Sequence, residues 1–187
     1  MLRNVSTRQR EANCQRRPRV EALEGRALLA AMTFQVTNTN DTGEGSLRAA
    51  IVDANENDGK DTIRFSRGTR GEITLSSELT ITDDLLIRGP GAQRLAISGD
   101  GLTRVFRIDA DPTQRFGPTA DSIDVEIRDL TITDGLATDA PGFPPTAGPG
   151  VPLFPDFAFG GGLYNRGNDV SLVGIRMEEN QAGSDAI

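Results

Sequence analysis

The sequence predicts an all-β solenoid, a parallel β-helix with a short helix capping its N-terminal end. One observation is an internal repeat. Asp124–Gly135 (DVEIRDLTITDG) and Asp169–Asn180 (DVSLVGIRMEEN) superimpose so that Val125, Ile127, Leu130 and Ile132 fall on Val170, Leu172, Ile175 and Met177. Each copy carries two apolar residues at period 2, a step of three, then two more at period 2, which is a strand that bends and resumes. Chains that repeat short bent strands bury the apolar face of each turn on the next. A second observation is that such pairs recur along the body, as Ile73/Leu75, Leu79/Ile81, Leu85/Ile87 and Leu95/Ile97, with Gly-rich turns at Arg88–Ala92 and Ser98–Gly101. The third is composition: 21 Gly and 10 Pro against eight Phe and one Tyr favour many tight turns over a few long helices. A β-sandwich, which needs longer antiparallel hairpins, is the alternative.

The chain divides into a basic leader (1–32), an N-terminal cap (33–65) and β-helix coils (66–187) interrupted by a Pro/Gly-rich loop at 136–159. The first 30 residues hold seven arginines against three glutamates, a net of +4, so the total of −7 leaves −11 on the rest. A leader this polar reads as disordered or as a targeting segment. No apolar run approaches the ~20 residues needed to cross a bilayer; the longest candidate is Ala27–Met32. The acidic body argues against nucleic acid as a partner. With no His and a single cysteine, Cys14, the chain has no imidazole chemistry, intrachain disulfide or Cys-cluster metal site.

In the cap, Phe34–Asn38 alternates and reads as a first strand, followed by the turn formers of Asn38–Gly45. Ser46 stands at a helix N-cap position, and Leu47, Ala50, Ile51 and Ala54 follow at i, i+3, i+4, i+7, one apolar face of a short helix. Gly59 suits the left-handed position after its end, and Thr62–Phe65 returns to strand. Such a helix would cover the first coil, whose core and strand edges would otherwise lie open. Gly43–Arg48 (GEGSLR) lacks both phosphate-loop spacings, GxGxxG and GxxxxGK[ST].

The cap residues carry a resemblance. Val36–Asp41, Gly45-Ser46-Leu47-Arg48-Ala49-Ala50-Ile51, Ala54-Asn55 and Asp61–Phe65 are similar to the opening module of bacterial right-handed β-helix repeat proteins. The similarity continues through Ile87–Ala92, Leu95–Gly99, Leu130–Gly135 and Gly160–Asn165, and implies a right-handed coil. Leu23-Glu24-Gly25-Arg26-Ala27-Leu28-Leu29 resembles the Leu-Glu-Pro-Arg-x-Leu-Leu segment near the N-termini of large surface-associated proteins of budding bacteria, with Gly25 in place of the proline. That resemblance implies a secreted or cell-surface protein, outer-membrane association included, and supplies no chemistry. The Gly-Gly-x-Leu and x-x-x-Asn features resemble repeats of polymorphic outer-membrane proteins, although Met177–Asn180 lacks their phenylalanine.

One coil measures 24 residues if Ser184–Ile187 takes the place of Gly160–Leu163. The two repeat copies lie 45 apart, and Gly142–Phe159, with five prolines and three glycines, accounts for the excess as a loop between coils. Its phenylalanines, Phe143, Phe154, Phe157 and Phe159, suit folding back over the coil or presenting a binding surface. Gly160-Gly161-Gly162 reads as a corner where stacked backbones approach closely rather than as an anion nest, and Asn165 and Asn180 read as turn asparagines that hydrogen-bond between coils.

Candidate carboxylates for polysaccharide chemistry are Asp83/Asp84, Asp109/Asp111, Asp129/Asp134 and Glu178/Glu179. A glycosidase pair stands ~5–10 Å apart across the scissile bond and would come from adjacent coils. Most of these acids flank turns, where Asp caps backbone donors. No EF-hand or nonapeptide calcium repeat is present. The expectation is therefore a noncatalytic extracellular or cell-surface scaffold, adhesin-like and binding polysaccharide or another surface component, with no catalytic residue, metal site or cofactor assigned. The alternative is a polysaccharide lyase or glycoside hydrolase, or the N-terminal part of one. The second repeat copy runs into Gln181–Ile187 without a cap, so the sequence predicts an incomplete solenoid, a fragment of a longer protein.

Overall fold

The computed structural model describes residues 31–113, 122–137 and 160–182. Cys14, the Leu23–Leu29 segment, Gly142–Phe159 with its four phenylalanines, and Ser184–Ile187 lie outside the described residues.

The chain enters as β1 (Thr33–Val36), which starts one residue before and ends two residues before the strand that the alternation suggests. The backbone amides of Thr37 and Asn38 turn away to the Gly45 carbonyl (2.9 and 3.3 Å) instead of continuing a ladder. Helix α1 (Leu47–Asn55) follows, and Ser46 caps it from an extended conformation by accepting from the Ala49 amide at 3.2 Å. Leu47, Ala50, Ile51 and Ala54 are all buried, as their spacing requires. Gly59 takes φ 119°.

Four rungs follow. The first contains β2 (Asp61–Phe65), β3 (Gly71–Thr74) and β4 (Leu79–Ile81). The second contains β5 (Leu85–Arg88), β6 (Leu95–Ser98) and β7 (Phe106–Ile108). The third contains β8 (Asp124–Arg128), β9 (Thr131–Thr133), β10 (Leu136–Ala137) and β11 (Leu163–Asn165). The fourth contains β12 (Asp169–Val173), β13 (Arg176–Glu178) and β14 (Gln181–Ala182). Stacking produces one side ordered β1-β2-β5-β8-β12, a second ordered β3-β6-β9-β13, a third ordered β4-β7-β11, and a short β10-β14 pair. Every pairing is parallel, which rules out the sandwich. The chain is a parallel β-solenoid.

Register confirms the repeat residue by residue. Val125 pairs with Val170, Ile127 with Leu172 and Ile132 with Met177. The 24-residue coil is present too, in the offsets Asp61↔Leu85 and Gly71↔Leu95. The predicted 136–159 loop is narrower at its start, because Leu136 and Ala137 form β10 and pair with Gln181 and Ala182.

Parallel stacking places like residues over like. Ile63, Ile87 and Ile127 form one interior column and Ile73, Ile97 and Ile132 another, all fully buried. Phe106 and Ile108 on β7 add an alternating pair on the third side, in register with Leu79 and Ile81. A fully buried aliphatic side chain contributes about 1.5–3 kcal/mol, so these columns dominate the stability. Helix α1 closes the first end. At the other, Leu172 and Met177, in register with buried Ile127 and Ile132, are exposed because no described rung lies beyond them.

Candidate functional site

Seven of the eight candidate carboxylates lie outside the strands, and four of them, Asp83, Asp84, Asp109 and Asp111, accept from backbone amides. Asp129, Asp134 and Glu179 adopt left-handed conformations (φ 55°, 49° and 51°), which the short aspartate side chain tolerates better than most. Asp83 accepts from the Asp84 amide and Asp84 from the Asp124 amide, both at 2.7 Å. Asp111 accepts from the Thr113 amide and hydroxyl. Glu178 pairs with Arg176 at 2.9 Å on an exposed strand.

Asp109 is fully buried and is the best-braced acid of the set. Its Oδ2 accepts from Arg107 at 2.8 Å, while its Oδ1 accepts from the Asp111 amide at 3.2 Å and faces Arg166 at 3.5 Å. Arg107 also faces Glu78 at 3.5 Å, and Glu78 receives Arg104 at 2.7 Å. Arg104 donates onward to the Gly160 carbonyl and lies 5.1 Å from the Tyr164 ring centre, within cation–π range. Burial opposes charge on Arg107, yet the hydrogen bond to Asp109 and the field of Glu78 outweigh it and raise its pKa further. This cluster joins the first three rungs on the third side: Glu78 from the first, Arg104, Arg107 and Asp109 from the second, Tyr164 and Arg166 from the third. These ion pairs tie the three rungs together, so the network braces the coil, although Arg107 Nε is buried without a hydrogen-bond partner. The arginines in it escape a sequence reading because Arg107 and Tyr164 are 57 positions apart and meet only through register.

The fold does bring one pair of candidate carboxylates to a common opening. Asp134 and Glu179, on successive rungs, line a cleft of about 200 Å³ together with Gly135, Leu136 and Gln181. Thr133 donates to Asp134 at 2.8 Å. A neighbouring cleft of about 120 Å³ lies against Glu78, Thr103, Arg104 and Leu136. Both are below the roughly 300–1,000 Å³ of most small-molecule sites. Among the described residues no three acids gather as a metal-binding group.

The remaining motifs are structural. In Gly43–Arg48, a Cβ on Gly45 would stand 2.2 Å from Thr37 Oγ1, so the loop is packed shut rather than open to phosphate. Arg48 ties the cap to the first rung, donating to Asp41 at 2.6 Å and to the Ser77 and Glu78 carbonyls at 2.7 and 3.0 Å. Ser76 also donates to Asp41, through its hydroxyl (2.5 Å) and amide (3.1 Å). Burial alone would raise the Asp41 pKa; the Ser76 and Arg48 hydrogen bonds prevail and lower it.

Gly161 and Gly162 form the predicted corner of close approach. A Cβ at Gly161 would meet the Gly135 and Gln181 carbonyls at 2.1 and 2.2 Å. Asn180 bridges rungs as expected, accepting from the Gly135 amide and donating to the Ile132 carbonyl, each at 2.9 Å. Asn165 does not bridge rungs. It closes its own turn with Asn168, accepting from the Asn168 amide at 3.0 Å and donating to its carbonyl at 2.8 Å. Asn168, which the sequence does not single out, is the buried inter-rung asparagine: it donates to the Ile108 carbonyl (3.1 Å) and accepts from the Ile123 amide (3.3 Å). A side-chain amide carries one donor and one acceptor group like a peptide unit, so it extends the ladder where backbone pairing lapses. Asn55 does the same between α1 and β4, donating to the Thr80 carbonyl and accepting from the Thr82 amide.

Comparison with protein-family models, with curated proteins and with solved structures found no match.

Proposed function

We propose that this chain is a noncatalytic scaffold of an extracellular or cell-surface protein, adhering to polysaccharide or another surface component. One observation carries the reading: the acids are committed to structure. Asp109 engages two arginines and a backbone amide, Asp83 and Asp111 cap turns, and Asp84 bridges to the Asp124 amide of the next rung. A general acid or base needs a free oxygen within reach of substrate; Asp109 spends both of its oxygens on the coil, and Asp83, Asp84 and Asp111 spend one each. The surface location is supported by the leader's resemblance to the Leu-Glu-Pro-Arg-x-Leu-Leu segment.

A second reading, a lyase or hydrolase, is favoured by the shared cleft of Asp134 and Glu179. Successive parallel strands stand about 4.8 Å apart, close to the ~5 Å between the carboxyl groups of retaining glycosidases. Incubation with acidic polysaccharides separates the two. The scaffold reading expects no new reducing ends and no unsaturated products, with retention on a glycan array. Turnover that disappears in Asp134→Asn or Glu179→Gln would replace it with the enzymatic one.

A further inference from the structure

The described part of this acidic chain has one edge where cations collect without counterions. It lies between the first and second sides of the solenoid, over rungs one and two. Arg64 at the end of β2 is in register with Arg88 at the end of β5, and both are exposed. On the far side of the corner, Arg70 and Arg94 immediately precede the paired residues Gly71 and Leu95, again one above the other and exposed. Arg67 lies in the loop between them. The loops 65–69 and 89–93 contain no acid. Among the described residues none of these five arginines has an ion-pair partner. The edge ends at the third rung, where Arg128, next in register after Arg88, is neutralised by Glu126.

Like charges placed directly opposite on neighbouring strands oppose folding. Here the two-rung arrangement is a feature of the 24-residue coil, which superimposes Arg64 on Arg88 and Arg70 on Arg94. An external anion running along the solenoid axis would relieve the repulsion. Each rung presents its guanidinium groups about 4.8 Å beyond the last, and guanidinium binds carboxylate bidentately.

The occupant has to be narrow and extended, because the chain after residue 30 carries a net charge of −11. Single-stranded nucleic acid would also need aromatic platforms for its bases. The edge has none exposed: Phe34 and Phe65, the nearby aromatics, pack against the core. Nor does the edge carry an exposed large apolar side chain to enter a membrane; the exposed ones are Met32, Val52, Leu102, Leu172, Val173 and Met177.

We propose that Arg64, Arg67, Arg70, Arg88 and Arg94 form a binding site for a linear anionic polysaccharide with a carboxylate on every sugar, laid along the solenoid axis. This names a ligand and a site for the scaffold reading and rests on it only for the extracellular setting. If the polysaccharide is bound and also cleaved, the scaffold reading fails and the site stands. If it is not bound, the site fails.

The test is calorimetric titration of the whole chain with alginate oligomers over a range of salt, beside neutral dextran, single-stranded DNA and phosphatidylserine vesicles. Alginate is expected to bind and dextran not. The triple variant Arg64→Ala/Arg88→Ala/Arg94→Ala is expected to weaken alginate binding at least tenfold and to flatten the salt dependence by about two units of log–log slope, from the ~0.7 per neutralised charge of single-stranded polyanions. Arg176→Ala, on an exposed strand of the fourth rung, is expected to bind as wild type. The mutated side chains are exposed, and an unchanged melting temperature would show that the fold is kept. Alginate affinity within twofold of wild type in the triple variant would overturn the proposal. So would DNA or vesicles binding through the same arginines more tightly than alginate.

Discussion

Replacing Gly161 by alanine tests whether the rungs approach as closely as the structure shows. The added Cβ would lie 2.1 Å from the Gly135 carbonyl oxygen and 2.2 Å from that of Gln181, more than 1 Å short of the 3.4 Å at which ordinary contact begins. Both obstacles are backbone, so no rotamer change relieves them. The Gly135 carbonyl also accepts the inter-rung hydrogen bond from the Gln181 amide at 2.7 Å. Moving it aside strains the junction between β10 and β14. Overpacking of this kind costs about 1–3 kcal/mol, and loss of the hydrogen bond adds about 1 kcal/mol. The sum, roughly 2–4 kcal/mol, corresponds to a fall in Tm of about 5–15 °C for a chain of this size. The control is Gly68→Ala. Nothing stands within 4 Å of a Cβ there and φ is not positive, so a change between zero and a gain of about 1 kcal/mol is expected, from the narrower unfolded ensemble. Thermal and urea unfolding followed by far-ultraviolet circular dichroism measure both. If Gly161→Ala were as stable as Gly68→Ala, the close stacking of the third and fourth rungs would be wrong.

Other predictions concern the cap and the asparagine bridges. Arg48→Ala removes hydrogen bonds to Asp41 and to the Ser77 and Glu78 carbonyls, and should cost about 1–3 kcal/mol, read as faster hydrogen exchange in α1 before the rungs open. Asp41 has a folded pKa below its unfolded value of about 4. Its contribution is therefore complete above that value and lost as pH falls through the lower folded pKa. The stability gap between wild type and Asp41→Asn should be constant at neutral pH and close only in acid; a gap that widened in acid would contradict the assignment. Asn168→Ala leaves the buried Ile123 amide without its side-chain acceptor, and about 1–3 kcal/mol should be lost in chemical denaturation. Asn165→Ala, at an exposed residue serving a local turn, should lose less.

The sequence by itself settles what is local and periodic. Alternating Leu, Ile and Val residues place the interior columns, and the matched copies at 124–135 and 169–180 predict their own stacking because parallel register repeats side chain on side chain. The cap is equally legible, since Ser46, Leu47, Ala50, Ile51 and Ala54 act within a few residues of one another. What the tertiary structure decides is what stacking brings together from far apart. Asp109 looks like any turn acid beside its neighbour Arg107 until the coil delivers Arg166 to it. Asn168 looks no different from Asn165 until one proves to face the rung below and the other its own turn. The arginine edge shows the division most clearly. Its residues are scattered over 31 positions of sequence, and only a coil length of 24 turns them into two columns. Period 2 tells which side chains face out, but the register between rungs determines which outward side chains are neighbours. That register depends on loop lengths and corner geometry throughout the coil.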